Sequence, residues 1–354
     1  MRHTRVGLLS FNKDKAYSGL TLISPLHGNE TYLIGMTGEV LHNWIHPYKP
    51  GNYAYLLPTG NLLWAGETPN GPSPGGGKGG LLREYDWNGN VIWEYKDDNQ
   101  HHDFRRLQNG NTIYIGWEKM PSEAQKRMEG AEPLSEAEGG VTWSDYLREV
   151  NHKGDIVWEW HAHLDLKIED YPLHIMSTRK EFLHCNACHE LIDGNLMLSF
   201  RKNSMVVVIE KKTKKVIKKW QNDNWGQQHD CQRLENGNGL IFANGIHKPG
   251  GVFSSRVIEF DWDTGDEVWG FSDKPPWSMF SPNISGAQRL SNGNTLICEG
   301  LNGRFLEVTK TGNIVWEFIS PWFANTEKGP NNSVFRVYRY DELSPHISGR
   351  VKSI

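Results

Sequence analysis

Apolar and polar residues alternate along most of the chain in short runs that glycine turns separate. Two kinds of segment recur. In the first, such as "HDFRRLQNGNTIYIGWE" at 102–118, an Asn-Gly turn joins two strand-like runs. The second, such as "REVNHKGDIVWEW" at 148–160, ends on tryptophan. Alternation with a period of two around such turns predicts antiparallel β-hairpins.

The two hairpin types alternate regularly, which predicts five units of four antiparallel strands, A to D. The units begin near Asn52, His102, His184, His229 and Ser285. A sixth unit can be assembled from both ends of the chain, with 334–340 as strand A and the N-terminal runs "LTLISPL", "TYLIGMT" and "EVLHNW" as strands B to D. A closed ring of such units is a six-bladed β-propeller. We therefore expect an all-β fold, closed by pairing N- and C-terminal strands, with residues 1–354 as one propeller domain.

One tryptophan recurs on strand D of each unit. These residues are Trp44, Trp93, Trp158, Trp220, Trp269 and Trp316. A large apolar side chain at one repeated position is typical of packing between neighbouring units. We expect these tryptophans to pack blade against blade rather than to bind a ligand.

The tight glycine turns fall between strands A and B and between C and D, so they share one face of the predicted ring. The long insertions, including 119–146 as a possible lid, fall on the other face, where functional loops concentrate. His102, His184 and His229 stand at the starts of A strands, and Arg201 ends a B strand. We expect these four side chains around a central funnel on the loop-rich face.

Composition and charge limit the kinds of binding partner and the cellular location that we expect. The chain has 354 residues and a formal net charge of −4, without a basic-aromatic stripe, so we expect no nucleic acid. No apolar run approaches the roughly 20 residues that span a bilayer, so we expect no membrane association. The start lacks the apolar core of a signal peptide, which favours the cytoplasm and reduced cysteines. The oligomeric state is not indicated.

Three imidazoles and a guanidinium suit a small anionic or aromatic substrate. Arginine presents a planar fork to the oxygens of an oxyacid. A histidine with an unprotonated ring nitrogen can be a nucleophile, while its neighbours stabilise developing charge. This combination predicts an enzyme that handles a charged oxyacid group.

Three motifs resemble the bacterial PAPS-independent aryl sulfotransferases, which are six-bladed propellers. They are "HHDF" at 101–104, "HCN" at 184–186 with "LSFR" at 198–201, and "QQHD" at 227–230. The resemblance implies ping-pong sulfuryl transfer from an aryl sulfate to a phenol without a cofactor. It implies His229 as the transiently sulfated nucleophile, with His102, His184 and Arg201 holding sulfuryl oxygens and assisting proton movement. The further substrate-binding candidates are His101, Asn186, Tyr53, Trp117 and Asn244.

Other interpretations remain open at this point. His102, His184 and His229 could hold a divalent transition metal in a propeller lyase or oxidase, although Arg201 would place a cation beside a cation. The histidines could instead satisfy strand ends, or the propeller could bind a partner without catalysis. "CNACH" at 185–189 fits a haem-attachment pattern, but it falls on a repeat strand.

Two lesser features also carry expectations. Asp103 and Asp230 follow site histidines, and strand alternation points them away from the funnel, towards the backbone or neighbouring blades. The run "GPSPGGGKGG" at 71–80 resembles a phosphate loop only in composition, so we expect a mobile loop over the funnel.

Overall fold

The computed structural model describes residues 5–131 and 140–351 of the chain. It contains six main antiparallel sheets, each with a core of four strands, which are the blades of a six-bladed β-propeller. The chain divides into two compact units of three blades each. The all-β fold predicted from the hairpin pattern is confirmed.

The first unit comprises Met1–Thr68, Gly79–Lys96 and Phe271–Ile354. Strands are given in order A to D. Blade 1 contains Pro50–Leu56, Leu62–Glu67, Gly80–Tyr85 and Val91–Lys96. Blade 5 contains Gly286–Arg289, Thr295–Glu299, Arg304–Val308 and Ile314–Ile319. Blade 6 contains Val334–Tyr340, Leu20–Pro25, Glu30–Ile34 and Val40–Ile45. A small hairpin is formed by Ala324–Thr326 and Gly329–Asn331.

Blade 6 closes the fold with strands from both ends of the chain. Val334–Tyr340 pairs antiparallel with Leu20–Pro25, as predicted. The extreme N-terminus adds a feature that was not predicted, since Gly7–Phe11 pairs with Ile314–Ile319 as a fifth strand of blade 5. Its apolar run is short and no hairpin turn precedes it, so the sequence pattern does not mark it as a strand.

The second unit comprises Pro69–Lys78 and Asp97–Gly270. Blade 2 contains Gln100–Arg106, Thr112–Lys119, Trp143–Val150 and Ile156–His161, with Glu181–Phe182 parallel to the third strand. Blade 3 contains Cys185–Glu190, Leu196–Phe200, Met205–Ile209 and Val216–Gln221. Blade 4 contains His229–Arg233, Gly239–Ala243, Arg256–Phe260 and Glu267–Phe271.

Helical segments are short. The α-helices among the described residues are Ser122–Gln125 and Ala162–Asp165. Single 3-10 turns occur at Ile168–Asp170, Arg201–Asn203, Asp223–Trp225, Pro276–Ser278 and Gly300–Asn302. None of the described helices has the length and apolar character needed to cross a membrane. Of the predicted lid at 119–146, residues 132–139 lie outside the described residues.

Two of the strand D tryptophans, Trp44 and Trp158, show how neighbouring blades are joined within each unit. The indole Nε1 of Trp44 donates to the backbone oxygen of Asp86 at 3.0 Å, from blade 6 to blade 1. Trp158 donates to the oxygen of Lys211 at 3.0 Å, from blade 2 to blade 3. A buried indole contributes apolar contact and one net hydrogen bond of about 1 kcal/mol. The predicted blade-to-blade role is confirmed at these positions.

Candidate active site

The site histidines stand where strand A of blades 2, 3 and 4 begins. In each of these blades the register of strand A against strand B shifts near that point, which bends the strand. His102 and His184 have φ angles of 51° and 56°, in the left-handed region. Such a conformation costs roughly 1–2 kcal/mol for a residue with a Cβ, so the surrounding contacts must hold these two residues in place.

A continuous chain of polar contacts links five buried side chains. Nδ1 of His184 lies 2.8 Å from Oε2 of Glu181, and its Nε2 lies 3.1 Å from Nε2 of His102. Nδ1 of His102 lies 2.8 Å from Nδ1 of His101, whose Nε2 lies 3.2 Å from Oδ1 of Asp145. Each residue is at most 3% exposed. The strands thus place three imidazoles between two carboxyl groups.

Burial controls the charges of these five linked side chains. It lowers the pKa of His184, although Glu181 opposes the shift. It lowers the pKa of His102 still more, and the charges of His184 and, more weakly, His229 and Arg201 act in the same direction. Burial alone would raise the pKa of Glu181, but His184 and neighbouring Lys202 hold it at about 2. The site therefore keeps an ionised carboxylate beneath weakly basic imidazoles.

The ring of His229 is oriented by an amide. Its Nδ1 lies 2.8 Å from Oδ1 of Asn244, which can only accept a hydrogen bond. Nδ1 therefore carries the ring proton, and Nε2 carries the lone pair. The strand start beneath it is fixed by Gln228, which donates to the oxygen of Met205 at 2.8 Å. Asn186 in turn donates to the oxygen of Gln228 at 2.8 Å.

Arg201 lies directly after strand B of blade 3, in a 3-10 turn, as the strand direction predicts. Its Nε is buried and has no hydrogen-bond partner among the described residues. Burial lowers the pKa of the guanidinium, yet arginine keeps its charge in proteins. A desolvated cation with an unused donor is stabilised by an oxyanion, because charge-assisted hydrogen bonds replace the lost water.

Four of the five predicted substrate-binding residues contact a site histidine or the backbone that supports one. Trp117 stacks on His101 with ring centroids 4.0 Å apart, and its Nε1 donates to Glu181 at 3.0 Å. His101, Asn186 and Asn244 make the contacts described above. Tyr53 belongs to the first unit, where it stacks on Phe335 at 5.9 Å.

Sequence reasoning missed Glu181, Asp145 and Lys202. Glu181 lies in the connection between blades 2 and 3, where no repeat pattern marks it, although it precedes His184 by three residues. Asp145 is one of two acidic residues in the strand Trp143–Val150 and is buried there. A charged residue at a core position was the available signal for Asp145, because charges are rarely buried without a partner.

The expectation for Asp103 is confirmed. Its Oδ2 accepts from the backbone nitrogen of Cys188 at 2.8 Å, so it ties blade 2 to blade 3. Cys185 and Cys188 lie buried on the first strand of blade 3. Burial raises the pKa of both thiols, which keeps them protonated and unreactive.

The glycine-rich loop packs directly on the site. The oxygen of Gly77 accepts from the backbone nitrogen of His102 at 2.7 Å, and Lys78 forms an isolated β-bridge with His101. A Cβ on Gly75 would lie 2.1 Å from Oε2 of Glu181. Glycine is therefore needed here for close approach of the backbone, and the loop covers the histidine chain.

Metal binding was the main alternative for the histidines. Within residues 5–131 and 140–351, no group of three or more His, Cys, Asp and Glu side chains has an arrangement that could hold a metal ion. The imidazoles of His102 and His184 instead face each other through their Nε2 atoms.

Comparison with known proteins identifies one matching family. The model of the family described as Arylsulfotransferase (ASST) matches residues 55–321. No protein with a curated description matches the sequence significantly. A solved protein of unknown function from Bacteroides caccae aligns with a TM-score of 0.57 at 12% identity, over 91% of this chain and 99% of its own. A streptogramin B lyase aligns with a TM-score of 0.51 at 10% identity, over 95% and 93%. At such identities the structural likeness shows the fold alone.

Proposed function

The chain belongs to the arylsulfotransferase family, and from this premise we propose that it moves a sulfuryl group from an aryl sulfate to a phenol through a sulfated His229. Family membership supports sulfuryl transfer by a transferase enzyme. The histidine intermediate is supported by the contact between His229 and Asn244, which leaves Nε2 as the lone-pair nitrogen. An imidazole must present this form to attack sulfur.

The reaction proceeds in two displacements. In the first, the lone pair of His229 Nε2 forms the N–S bond, and the S–O bond breaks with its electrons going to the aryl oxygen. In the second, a phenol oxygen attacks the same sulfur and gives up its proton, which balances the proton taken up by the departed aryl oxide, and the N–S electrons return to Nε2. Sulfur thus exchanges one oxygen partner for another, and the enzyme is regenerated.

Arg201 is suited to hold the oxygens of the transferred group. The buried Nε of Arg201 supplies a fixed positive charge and a donor, and both Arg201 and His229 act electrostatically on His102. Fixed donors in a dry site stabilise charge on the sulfuryl oxygens without solvent reorganisation. We assign Arg201 to sulfuryl binding.

An adjoining cavity fits the aryl part of a substrate. It has a volume of about 320 Å³ and is lined by Ser73, Pro74, Val141, Trp143 and Lys180. Trp143 pairs with Glu181 across neighbouring strands, so this lining residue lies next to the Glu181 end of the linked side chains, although no site histidine lines the cavity. An indole and a proline ring provide apolar faces for an aromatic ring, while Lys180 favours an anionic substituent.

Steady-state kinetics with 4-nitrophenyl sulfate and a phenol test the proposal. We expect parallel double-reciprocal plots, since the two substrates bind to different covalent forms of the enzyme. Asn244→Leu removes the acceptor at Nδ1 and should lower kcat/KM by about 10²-fold, as misorientation of a reacting group does. Asn244→Asp keeps an oxygen there and should retain more activity.

Two outcomes would contradict the proposal. One is a set of intersecting plots, which indicates direct transfer between substrates. The other is activity that chelators abolish and a divalent metal restores, which would favour the metal-dependent lyase or oxidase alternative.

A further inference from the structure

We propose that the gap between Nε2 of His184 and Nε2 of His102 is a socket for one proton, formed by the side-chain contacts that run from Glu181 to Asp145. The inference rests on the proposed sulfuryl transfer and adds where the proton of that reaction is kept. Glu181, Asp145 and His101 are then positioning residues, which act through the two imidazoles beside the gap.

The Glu181 end sets the tautomer of His184. A carboxylate accepts hydrogen bonds only, and it lies 2.8 Å from Nδ1 of His184. That nitrogen must therefore carry a hydrogen. A neutral imidazole has one hydrogen, so its other nitrogen, Nε2, presents a lone pair to the gap.

The Asp145 end sets the tautomer of His102 in the same way. Nε2 of His101 lies 3.2 Å from Oδ1 of Asp145, and this buried contact is tolerable only if the nitrogen carries the hydrogen. Although the contact is not well aligned, Trp117 stacks on the His101 ring and holds its plane. Nδ1 of His101 is then an acceptor, so Nδ1 of His102 donates to it across 2.8 Å. This leaves Nε2 of His102 as a second lone pair.

Two lone pairs therefore face each other across 3.1 Å. Without a proton they repel, and in a dry site this repulsion is strong. One added proton converts the gap into a hydrogen bond and makes a single imidazolium between two carboxyl groups. Burial lowers the pKa of each ring, but the negative charge of Glu181 and the repulsion across the unprotonated gap oppose this shift, and we expect them to hold the proton in place at pH 7.5. A second proton would place two cations side by side, and burial together with the charge of His184 opposes it at His102. The capacity of the socket is one.

The proposed reaction must also move one proton in each of its two displacements. In the first displacement the departing aryl oxygen takes the proton from the gap as the S–O bond breaks. In the second displacement the acceptor phenol loses its proton to the gap as its oxygen bonds to sulfur. Each cycle thus carries one proton from the acceptor phenol to the aryl oxygen of the sulfate donor. The socket is empty only while His229 is sulfated.

Proton counting tests the socket in the wild-type protein. The enzyme is mixed with phenyl sulfate without an acceptor, in weak buffer near pH 7.5 with an indicator dye. The phenol that leaves has a pKa of about 10 and takes up a proton. We expect sulfation of His229 with almost no proton uptake from solvent. Uptake of about one proton per sulfated subunit would overturn the socket, because solvent would then be the source.

Glu181→Gln provides an independent test. The amide oxygen can still accept from His184, but the negative charge that stabilises the loaded socket is lost. We expect about one proton taken from solvent, and turnover of phenyl sulfate slowed at least ~10-fold more than that of 4-nitrophenyl sulfate, whose phenol leaves without help. Glu169→Gln, at an exposed carboxylate bound by Arg127, is the matched control and should behave as wild type.

The outcomes separate this inference from the proposed function. If no sulfohistidine forms in the wild type, the proposed function itself fails. If it forms with solvent protons, or if Glu181→Gln slows both sulfates equally, only the socket is refuted. Stoichiometric metal bound between the two Nε2 atoms would also overturn it.

Discussion

Gly77 is the point at which the glycine-rich loop meets the proposed chemistry. A Cβ added there would lie 2.1 Å from Cε1 of His102, and the residue has a φ of +83°. Its neighbour Gly76 has a φ of +86°, but a Cβ there would meet nothing within 4 Å. Gly77→Ala and Gly76→Ala therefore share a backbone penalty, and only Gly77→Ala disturbs the histidine.

The backbone penalty and the clash with His102 differ in size. An alanine in the left-handed region costs roughly 1–2 kcal/mol, which both variants bear. In Gly77→Ala either the loop retreats or the His102 ring shifts, by more than an ångström in each case, since a 2.1 Å contact must relax to ordinary van der Waals distance. Misplacement of about 1 Å can cost about 10² in rate. We expect kcat/KM to fall about 10²-fold for Gly77→Ala and less than ~10-fold for Gly76→Ala.

The assay compares kcat/KM for an aryl sulfate with thermal unfolding of each variant. If the loop positions His102, the two variants should have similar melting curves and clearly different activities. Equal activities would show that the loop does not position His102. A much lower melting temperature for Gly77→Ala alone would show that the clash reaches beyond the site.

Three further predictions follow from the contacts. Arg201→Ala should raise KM and lower kcat for the aryl sulfate, with a total loss of ~2 kcal/mol, or about 30-fold in kcat/KM, because its donor acts in both the bound and the transition state; an unchanged KM would contradict this. Deleting 334–354 removes strand A of blade 6 and should abolish cooperative unfolding in denaturant titrations; an unaltered transition would show that this closure is dispensable. The hydrogen bond to Glu118 raises the pKa of His161, although burial opposes this shift. Burial would raise the pKa of Glu118, but the same contact helps to lower it to about 2. His161→Gln should therefore destabilise the protein most between about pH 4.5 and 6.5, and less as pH rises through the raised pKa of His161; a pH-independent loss would contradict the ion pair.

Most of the fold could be predicted from the sequence because its signals are local and repeated. Each Asn-Gly or similar turn fixes one hairpin, and strand alternation then fixes which side chains face inward. Strand A of blade 6 begins and ends at the predicted residues, Val334 and Tyr340. The fifth strand at Gly7–Phe11 has no such local signal, since its pairing depends on an exposed sheet edge far away in the chain.

The histidines were found for the same reason, since the repeat places them at equivalent strand starts. Glu181 was not, because it lies in an irregular connection whose path is set by tertiary packing rather than by a turn motif. The left-handed backbone of His102 and His184 was equally invisible, because positive φ is uncommon even for histidine, which adopts it more often than most residues with a Cβ. Cytoplasmic location and the identity of both substrates stay predictions.

We propose that His229 carries the sulfuryl group between the two substrates, and this intermediate can be observed directly. The most direct measurement is mass spectrometry of the protein after incubation with an aryl sulfate and no acceptor, with peptide mapping of the adduct. We predict one sulfuryl group on His229, which disappears when a phenol is added and never forms in His229→Asn. An active His229→Asn variant, or an adduct on another residue that turns over with the phenol, would rule out His229 as the nucleophile.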